Sequence, residues 1–418
     1  MPAPLALCDL TQSYAATGGG IRTYLHAKRA WLTAHTDVRH VLIVPGPEDA
    51  VEREGRHVTH TVRSPFVPGS SAYRLLLRNG RVRELLAAER PDAVECLCAY
   101  NLPWAALRHR RDVDPACAVV GGYRTDFPSA YAEPLVDRVL GAWAGRRAGA
   151  LGYRYVARLY ARFDAVYTLS PTLHSKLAAL GVGSTLLPLG VDLGLFHPDR
   201  RDPALRAELG VGDGAPLLVY AGRLDAEKRP LEVLDAFGRL PPALGAHLAL
   251  AGDGPQRAEV EAAAARDPRV HALGFVADRD RYARLLASAD VYVSAMPHET
   301  FGISVVEAQA SGLPVVGVRS GAMPDRVPPG LGELVPVGDP AALAAGVEAA
   351  LADAAEAGRR ARAHVEAHFS WDATFRRLLA LYDRVLADRR GEPLRAAGGP
   401  EHGGPEHGGP ADASQAGP

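Results

Sequence analysis

The sequence predicts an α/β protein of two domains of similar size, each with a parallel β-sheet, that face each other across a central cleft. Short apolar runs rich in valine alternate with longer amphipathic stretches along most of the 418 residues. Such runs are typical of strands buried on both faces of a parallel sheet. Their alternation with helical patterns is typical of α/β proteins. The chain is also longer than a single domain of about 100–200 residues, which favours two domains.

Eight apolar runs are predicted to be strands, and helical patterns lie between them. The strands are residues 40–45, 93–98, 117–122, 164–169, 216–221, 247–251, 290–295 and 314–318. The helical patterns include residues 74–90, 229–240 and 341–368. Because ligands of such proteins bind at the carboxyl ends of the strands, we expect the site in the cleft between the domains.

Proline and glycine cluster at residues 187–200, LPLGVDLGLFHPDR, and a new run of strands follows. We place the domain boundary there. This predicts two Rossmann-like halves, an N-terminal domain over 1–186 and a C-terminal domain over 187–370. The tail over 391–418 repeats GGPEH in tandem and is predicted to be disordered, because it cannot bury a core.

The composition excludes several classes of protein. The net charge is −1, which argues against nucleic acid as a partner. No apolar run approaches the roughly 18–20 residues that span a bilayer. The start, MPAPLALCDLT, lacks the basic and apolar regions of a secretory signal, so we expect a cytoplasmic location. The four cysteines are interpreted as buried thiols of a reducing compartment; they are Cys8, Cys96, Cys98 and Cys117.

The strongest functional signal is MPHETFGISVVEAQASG at residues 296–312. A strand precedes it, so the loop brings Glu299 to the carboxyl end of the sheet. Gly302 and Ile303 are expected to present free N–H groups at a helix start, which suits an anion. Glu307 lies farther into that helix, where a carboxylate suits the vicinal diol of a ribose. The alternative is an ordinary pair of surface glutamates.

The second signal is VYAGRLDAEKRP at residues 219–230. A strand ends at Gly222, and Arg223 and Lys228 follow it. Two cations at a strand end, before a helix, are suited to clamp a diphosphate without a metal ion. The alternative is a solvated loop. Lysine occurs only three times in this chain, which favours a chemical requirement for Lys228.

The third signal is the run Gly18-Gly19-Gly20 before a helical pattern. Such a loop lets the backbone approach a ligand closely, although many glycine loops are simple turns. Arg22 adds a charge. The run is not the G-x-G-x-x-G fingerprint of dinucleotide-binding enzymes, which argues against an oxidoreductase.

Taken in order, these landmarks resemble the retaining glycosyltransferases of family 4, or group 1, which have the GT-B fold. The resemblance covers roughly residues 1–388. Further matching segments are PLGVD (188–192), AGDGP (251–255), LGFV (273–276), SADVYV (288–293) and GLPVVG (312–317). The N-terminal half is similar to mannosyltransferase members. Residues 369–382 resemble the family's terminal segment, which implies a helix over 371–390 that crosses back onto the N-terminal domain.

The resemblance also implies roles for residues on both sides of the cleft. Arg223 and Lys228 would hold the donor diphosphate, Glu307 the ribose, and Glu299 the hydroxyls of the transferred sugar. The residues implied to act on the reacting groups are Arg124, Arg223, Lys228 and Glu299. The residues implied to bind the donor are Gly19, Gly20, Arg22, Gly222, Val276, Phe301, Gly302, Ile303 and Glu307.

One position departs from the family pattern. Members often carry histidine in an aromatic-His-Thr/Ser segment at the end of an N-terminal strand, and residues 122–128 read GYRTDFP, with Arg124 in that place. Arginine donates to phosphate or sugar oxygens but is not a base near neutral pH. The nearby Asp126 is interpreted either as a group that orients the acceptor hydroxyl or as the ion-pair partner of Arg124.

The implied function is transfer of a hexose from a nucleoside diphosphate sugar, GDP-mannose or a UDP-sugar, to an acceptor hydroxyl. The acceptor would be a glycolipid, a saccharide or a small natural product. The transition state would be oxocarbenium-like, and charge on the leaving diphosphate would be stabilised. No cofactor or metal is expected. The alternatives are a GT-B-fold nucleotide-sugar epimerase and a non-catalytic sugar-nucleotide-binding protein.

Two segments have competing interpretations. The motif Asp278-Arg279-Asp280 matches a D-x-D metal signature, but a helical pattern follows it, which favours a capping turn. Residues 138–162 are basic and carry aromatic residues. They fit either a helix with a solvated arginine face and a buried aromatic face or peripheral contact with an anionic membrane at its inner face.

Overall fold

The chain folds around two separate, mostly parallel β-sheets, which confirms the predicted α/β class. The computed structural model describes residues 4–14, 19–67 and 73–391. Gly18 of the predicted glycine loop and the predicted disordered tail from residue 392 onward lie outside the described residues.

The first sheet has eight strands in the order β3-β4-β2-β1-β5-β6-β7-β8. All neighbours are parallel except β3 and β4, which form an antiparallel edge. The strands are β1 (Ala6–Leu10), β2 (Arg39–Gly46), β3 (Ala50–Glu54), β4 (His57–Arg63), β5 (Ala93–Cys96), β6 (Ala118–Tyr123), β7 (Ala165–Thr168) and β8 (Thr185–Leu186).

The second sheet has six strands in the order β11-β10-β9-β12-β13-β14, all parallel. The strands are β9 (Leu217–Ala221), β10 (His247–Ala251), β11 (Val270–Gly274), β12 (Val291–Ser294), β13 (Val315–Val318) and β14 (Gly332–Val335). The exact domain limits around the gap between β8 and β9 stay a prediction.

Helices cover both sheets. The helices among the first eight strands are α1 (Gly20–His35), α2 (Asn79–Glu89), α3 (Leu102–Asp112), α4 (Glu133–Leu140), α5 (Ala142–Tyr160) and α6 (Pro171–Ala179). Those of the second half are α7 (Pro203–Glu208), α8 (Pro230–Gly238), α9 (Arg257–Arg266), α10 (Arg279–Ser288), α11 (Ile303–Ala310), α12 (Met323–Arg326), α13 (Pro340–Ala352), α14 (Ala354–His368) and α15 (Trp371–Arg390).

All eight predicted strands are present, with ends shifted by one or two residues. Strand β1 was missed because ALCDL carries a charged residue in its interior, and Asp9 is buried there against Lys28. The single helical pattern over 341–368 is two helices that meet at Asp353. The pattern over 74–90 becomes helical only from Asn79.

Local sequence determines several helix starts. The carboxylate of Asp278 accepts a hydrogen bond from the Asp280 amide at 2.9 Å, so Asp278 caps α10, as the capping interpretation predicts. Asp339 caps α13 through the Ala342 amide at 2.9 Å. Such caps satisfy backbone donors that have no partner within the helix.

Helix α15 packs on α1 of the first half. The Phe375 ring lies 5.8 Å from that of Trp31, and Trp31 donates to Asp372 at 3.0 Å. Deeper in the interface, Lys28 donates to the Tyr382 hydroxyl at 3.0 Å. No helix within the described parts of the chain has both the length and the apolar character needed to cross a membrane.

Candidate active site

The loops that carry the strongest sequence signals leave adjacent strands of the second sheet. Strand β9 pairs with β12 in the centre of that sheet, where the strand order reverses. Arg223 and Lys228 follow the end of β9, and Glu299 follows the end of β12. Crevices at such reversals are the usual ligand sites of open α/β sheets. The topology therefore brings the two predicted segments together.

Lys228 and Glu299 form an ion pair, with 3.1 Å between Lys228 Nζ and Glu299 Oε2. The other carboxylate oxygen, Oε1, accepts a hydrogen bond from the Gly302 amide at 2.9 Å. Burial raises the pKa of Glu299, but Lys228 and the amides of Phe301 and Gly302 outweigh it and hold that pKa below its ordinary value. Glu299 is therefore a fixed carboxylate with its charge balanced by Lys228.

This arrangement corrects one expectation. Gly302 does not present a free N–H to an incoming anion, because Glu299 from the same loop accepts that hydrogen bond. Gly302 has φ +83°, a left-handed conformation that favours glycine, and it precedes the first residue of α11. The loop thus turns back so that its own carboxylate occupies the helix start.

Arg223 lies between two carboxylates. It pairs with Asp225, and its Nη2 lies 2.6 Å from Glu227 Oε2. Its side chain remains 38% exposed, and its guanidinium lies 5.9 Å from the centroid of the Tyr73 ring in the N-terminal half, so it faces the cleft. Burial opposes the charge, but Glu227 and Asp225 outweigh it and raise the pKa of Arg223. A diphosphate would therefore have to share this guanidinium with two acidic groups.

Glu307 is buried and paired with Arg279, with 2.6 Å between Oε1 and Nη2. Burial raises the pKa of Glu307, and Arg279 offsets part of that rise. Arg279 also lies over the rings of Phe196 and Tyr282, at 4.9 and 5.2 Å. The capping turn predicted at residues 278–280 gave no indication of this pairing, which links residues 28 positions apart.

The glycine loop of the N-terminal half meets the second sheet's loops across the cleft. A Cβ atom added at Gly20 would lie 3.6 Å from Ile303 Cγ2, at the start of α11. Gly19 has φ +114° and lies beside the Tyr73 hydroxyl. Arg22 lies over the ring of Tyr14 at 5.7 Å. Gly20 therefore lies opposite the start of α11, whereas the approach of Gly19 and Gly20 to a donor diphosphate stays a prediction.

Arg124 is withdrawn into the N-terminal domain and is 5% exposed. Its guanidinium lies 3.9 Å from the Tyr24 ring centroid and donates to the Tyr167 hydroxyl at 3.1 Å. Its backbone carbonyl accepts a hydrogen bond from Thr300 Oγ1, across the cleft, at 2.8 Å. The Arg124 side chain is thus held by aromatic residues, while its backbone contacts the loop that carries Glu299.

Behind Arg124 is a buried polar cluster that the sequence analysis did not anticipate. Lys28 Nζ lies 2.6 Å from both Asp9 Oδ1 and Glu95 Oε2. Glu95 also accepts hydrogen bonds from three tyrosines of different elements, which are Tyr24, Tyr167 and Tyr382. Lys28 is shared by the two carboxylates, and hydrogen bonds from His40 and the tyrosines give each charged group further partners, as buried charges require. Only the fold brings these residues together, because they lie in β1, α1, β5, β7 and α15.

Asp126 does not pair with Arg124, so that interpretation is wrong. Its carboxylate pairs with Lys176 and accepts hydrogen bonds from Tyr123 at 2.5 Å and Tyr153 at 3.1 Å. Burial raises the pKa of Asp126, but Lys176 and its other donors outweigh it and lower the pKa below its ordinary value. The alternative role, orientation of an acceptor hydroxyl, stays a prediction.

The other residues predicted to bind the donor differ in how much of each is exposed to a ligand. The Phe301 ring packs in the core, 5.8 Å from Phe369, so only its backbone faces the site. Val276 is half-buried against the core, whereas its neighbour Phe275 is 44% exposed. A Cβ atom at Gly222 would lie 3.2 Å from the Tyr220 hydroxyl. The exposed ring of Phe275 follows the end of β11, on the same sheet as the strands that carry the site.

Models of two protein families match the chain. The one described as Glycosyl transferases group 1 covers residues 215–353, and the one described as Glycosyltransferase Family 4 covers residues 18–195. A GDP-mannose-dependent alpha-(1-6)-phosphatidylinositol dimannoside mannosyltransferase of Mycobacterium tuberculosis is 32% identical over 332 residues, which are 77% of this chain and 82% of that protein. A GDP-mannose-dependent alpha-mannosyltransferase of the same species is 30% identical over 340 residues, 79% and 82% of the two chains.

Solved structures share the architecture at lower sequence identity. Sucrose-phosphate synthase from Thermosynechococcus elongatus superposes with a TM-score of 0.73 at 21% identity, over 92% of this chain and 100% of that one. HepE of Anabaena, in complex with UDP-glucose, superposes with a TM-score of 0.68 at 20% identity, over 90% and 98%. These similarities establish the GT-B fold. With the relatives in sequence, they confirm the resemblance noted above: the chain belongs to the family 4, or group 1, glycosyltransferases.

Proposed function

We propose that this glycosyltransferase moves mannose from GDP-mannose to an acceptor hydroxyl, with retention of the anomeric configuration and without a metal ion. The relatives that match more than three quarters of the chain are named as GDP-mannose-dependent mannosyltransferases, which supports the donor. The observation that carries the proposal is the Lys228–Glu299 pair, placed at adjacent strand ends opposite Gly20.

Arg223 and Lys228 would bind the diphosphate of the donor. Both lie at the carboxyl end of β9, and both are paired with carboxylates that hold them in place. A charge-assisted contact to phosphate stabilises the negative charge that develops on the leaving group. Two fixed cations at this position make a divalent metal unnecessary for the leaving group.

Glu299 would accept hydrogen bonds from hydroxyls of the transferred sugar. Its lowered pKa keeps it ionised near neutral pH, and an ionised carboxylate accepts hydrogen bonds but does not donate them. Glu307 and Arg279 together would bind the ribose end of the nucleotide, since the pair offers both an acceptor and a donor of hydrogen bonds.

The reaction requires no enzymic base. The bond from the anomeric carbon to the diphosphate oxygen breaks through an oxocarbenium-like state. The acceptor oxygen bonds to that carbon from the same face, and its proton passes to the leaving diphosphate oxygen. Arg124 fits this scheme as a positioning residue. Its side chain is buried against Tyr24 and Tyr167, and its backbone holds Thr300 beside Glu299.

The acceptor would enter from the side of Asp126 and Lys176. This pair lies next to α5, and Lys176 lies over the Tyr153 ring at 4.6 Å. The four cysteines are buried and free, which supports a reducing, cytoplasmic setting. The acceptor would be a glycolipid or another polyol whose hydroxyl groups bind this mixed set of charges.

The test is a donor panel of GDP-, UDP-, ADP- and dTDP-sugars in the presence of EDTA, with glycolipid and saccharide acceptors. We expect GDP release from GDP-mannose and an α-mannoside product by NMR. A β-linked product would overturn retention, and activity only with Mn²⁺ or Mg²⁺ would overturn metal independence. A C2-epimerised donor without a new glycoside would favour the epimerase. The Glu299→Gln variant controls for contaminating hydrolases.

A further inference from the structure

Helices α4 and α5 form a hairpin that exposes a cluster of large apolar side chains. Within the described residues, the five most exposed large apolar side chains all lie in this hairpin. They are Val139 (73%), Leu140 (71%), Leu135 (67%), Trp143 (67%) and Leu151 (62%). Single exposed apolar residues are ordinary on protein surfaces, but a contiguous group marks an interaction site. We call Leu135, Val139, Leu140 and Trp143 the hairpin face.

The packing inside the hairpin explains why these side chains point outward. Where α4 packs against α5, the residues of α5 are the glycines Gly145 and Gly149, which have no side chains. A Cβ atom at Gly145 would lie 2.8 Å from Asp137 Cβ, and one at Gly149 would lie 2.9 Å from Glu133 Oε2. Helix α4 therefore turns its acidic side toward α5 and buries none of its residues. Its apolar side is left without a protein partner among the described residues.

The hairpin that carries this face is rich in positive charge. Residues 133–160 contain five arginines and two acidic residues, a net charge of +3, although the whole chain carries −1. Both acidic residues, Glu133 and Asp137, are the ones turned toward α5. The guanidinium of Arg147 lies 5.1 Å from the Trp143 ring centroid. Exposed apolar side chains on a helical segment rich in arginine are typical of surfaces that lie on anionic lipid.

The hairpin is connected to the candidate active site. Tyr131 precedes α4, and its hydroxyl donates a hydrogen bond to Glu227 Oε2 at 3.1 Å. The same Glu227 oxygen lies 2.6 Å from Arg223 Nη2. At the other end of the hairpin, Tyr153 of α5 donates to Asp126. A surface that binds the hairpin face would therefore lie beside the opening of the cleft.

We propose that the hairpin face docks on an anionic lipid bilayer and holds the opening of the cleft next to the membrane surface. A second copy of this chain fits the face less well, because a symmetric contact would bring two sets of arginines together. The corollary that the acceptor is presented by the bilayer rests on the proposed function. The docking itself does not, since it needs neither donor nor acceptor.

The experiment is flotation of the full protein with vesicles of phosphatidylcholine that contain or lack phosphatidylglycerol. We expect flotation with the anionic vesicles that weakens as salt is added. The variant Val139→Gln/Trp143→Gln should weaken the vesicle partition coefficient roughly ten-fold or more, because two side chains lose their apolar contact. Arg146→Gln/Arg147→Gln should weaken it only for anionic vesicles. Val113→Gln, at an exposed position after α3 and outside the hairpin, is the matched control.

The outcomes separate the docking from the proposed function. Absence of flotation, or equal flotation of wild type and Val139→Gln/Trp143→Gln, overturns the docking. Self-association that this variant abolishes, without flotation of the wild type, assigns the face to a second copy and also overturns it. GDP binding by calorimetry without vesicles tests the nucleotide site alone. If flotation fails while mannosyl transfer proceeds on a soluble acceptor, the docking is wrong and the proposed function stands.

Discussion

Thr300 donates a hydrogen bond from Oγ1 to the backbone carbonyl of Arg124 at 2.8 Å, and this contact joins the two halves of the molecule at the cleft. Thr300 stands next to Glu299, and Arg124 stands at the end of β6. The Arg124 side chain is turned away, over Tyr24. The loop that carries Glu299 therefore contacts the N-terminal half through the backbone of Arg124 and not through its side chain.

Replacement of Thr300 by valine should lower kcat/KM about five-fold. Valine keeps the shape of threonine but removes the donor, and a neutral hydrogen bond contributes about 1 kcal/mol. Steady-state kinetics with the preferred donor provides the measurement. Thr300→Ser retains the hydroxyl and should stay close to wild type. Equal losses in both variants would mean that the methyl group, not the hydrogen bond, matters.

Replacement of Lys228 by methionine should weaken GDP binding by about 10–100-fold. The change removes a charge-assisted contact of about 1.5–3 kcal/mol and leaves Glu299 without its partner. Titration calorimetry with GDP measures the dissociation constant. Arg229→Met is the matched control, since Arg229 is the next residue and pairs with Glu232 instead. Unchanged affinity in Lys228→Met would remove this lysine from the diphosphate site.

Replacement of Glu299 by glutamine should lower kcat with little change in thermal stability. The amide oxygen of glutamine can still accept from Gly302, so the turn before α11 remains, while the negative charge near the sugar is lost. Glu299→Ala removes both the charge and the acceptor for the Gly302 amide. Its free energy of unfolding should fall by about 1 kcal/mol, which is typical for the loss of a helix cap. Comparison of kcat and Tm for the pair of variants separates the two roles. A fully active Glu299→Gln would argue against a role for the charge.

Replacement of Glu227 by glutamine should tighten GDP binding about five-fold. Glu227 competes with phosphate for Arg223, and weakening that competition by about 1 kcal/mol frees the guanidinium. Calorimetry at two salt concentrations tests this, because an electrostatic gain shrinks as salt rises. Glu232→Gln, which leaves the Arg223 pairs intact, serves as the reference. Weaker binding in Glu227→Gln would show that the carboxylate positions Arg223 instead.

Acid should destabilise the N-terminal half through Asp9. Burial raises the pKa of Asp9, but Lys28 and His40 outweigh it and hold that pKa well below its ordinary value. The stabilisation is therefore complete above the unfolded pKa of about 3.9 and is lost as the pH falls. Calorimetric scans between neutral and acid pH should show a steeper fall in Tm for wild type than for Asp9→Asn. Lys28→Met should lower the free energy of unfolding by about 3–5 kcal/mol at neutral pH. Asp37→Asn, on the surface, should behave as wild type.

Much of the fold was readable because buried parallel strands leave a clear pattern. The mainly apolar runs of β9, β12 and β13 are buried on both faces of the sheet, and each was predicted from the sequence. The strands that were missed, such as β1 with Asp9 and the exposed edge β3, break that pattern. A buried strand that contains a charged residue resembles a surface segment in sequence, because the partner of the charge is not visible there. Here that partner, Lys28, lies on a helix 19 positions away.

The sequence alone determined the α/β class, the two halves, the family resemblance and the segments that form the cleft, because each depends on residues close together in the chain. Tertiary structure alone decided which charges meet. It paired Asp126 with Lys176 rather than Arg124, Arg279 with Glu307, and Lys228 with Glu299. Ion pairs depend on distances of a few ångströms between residues far apart in the chain. Local patterns do not encode those distances.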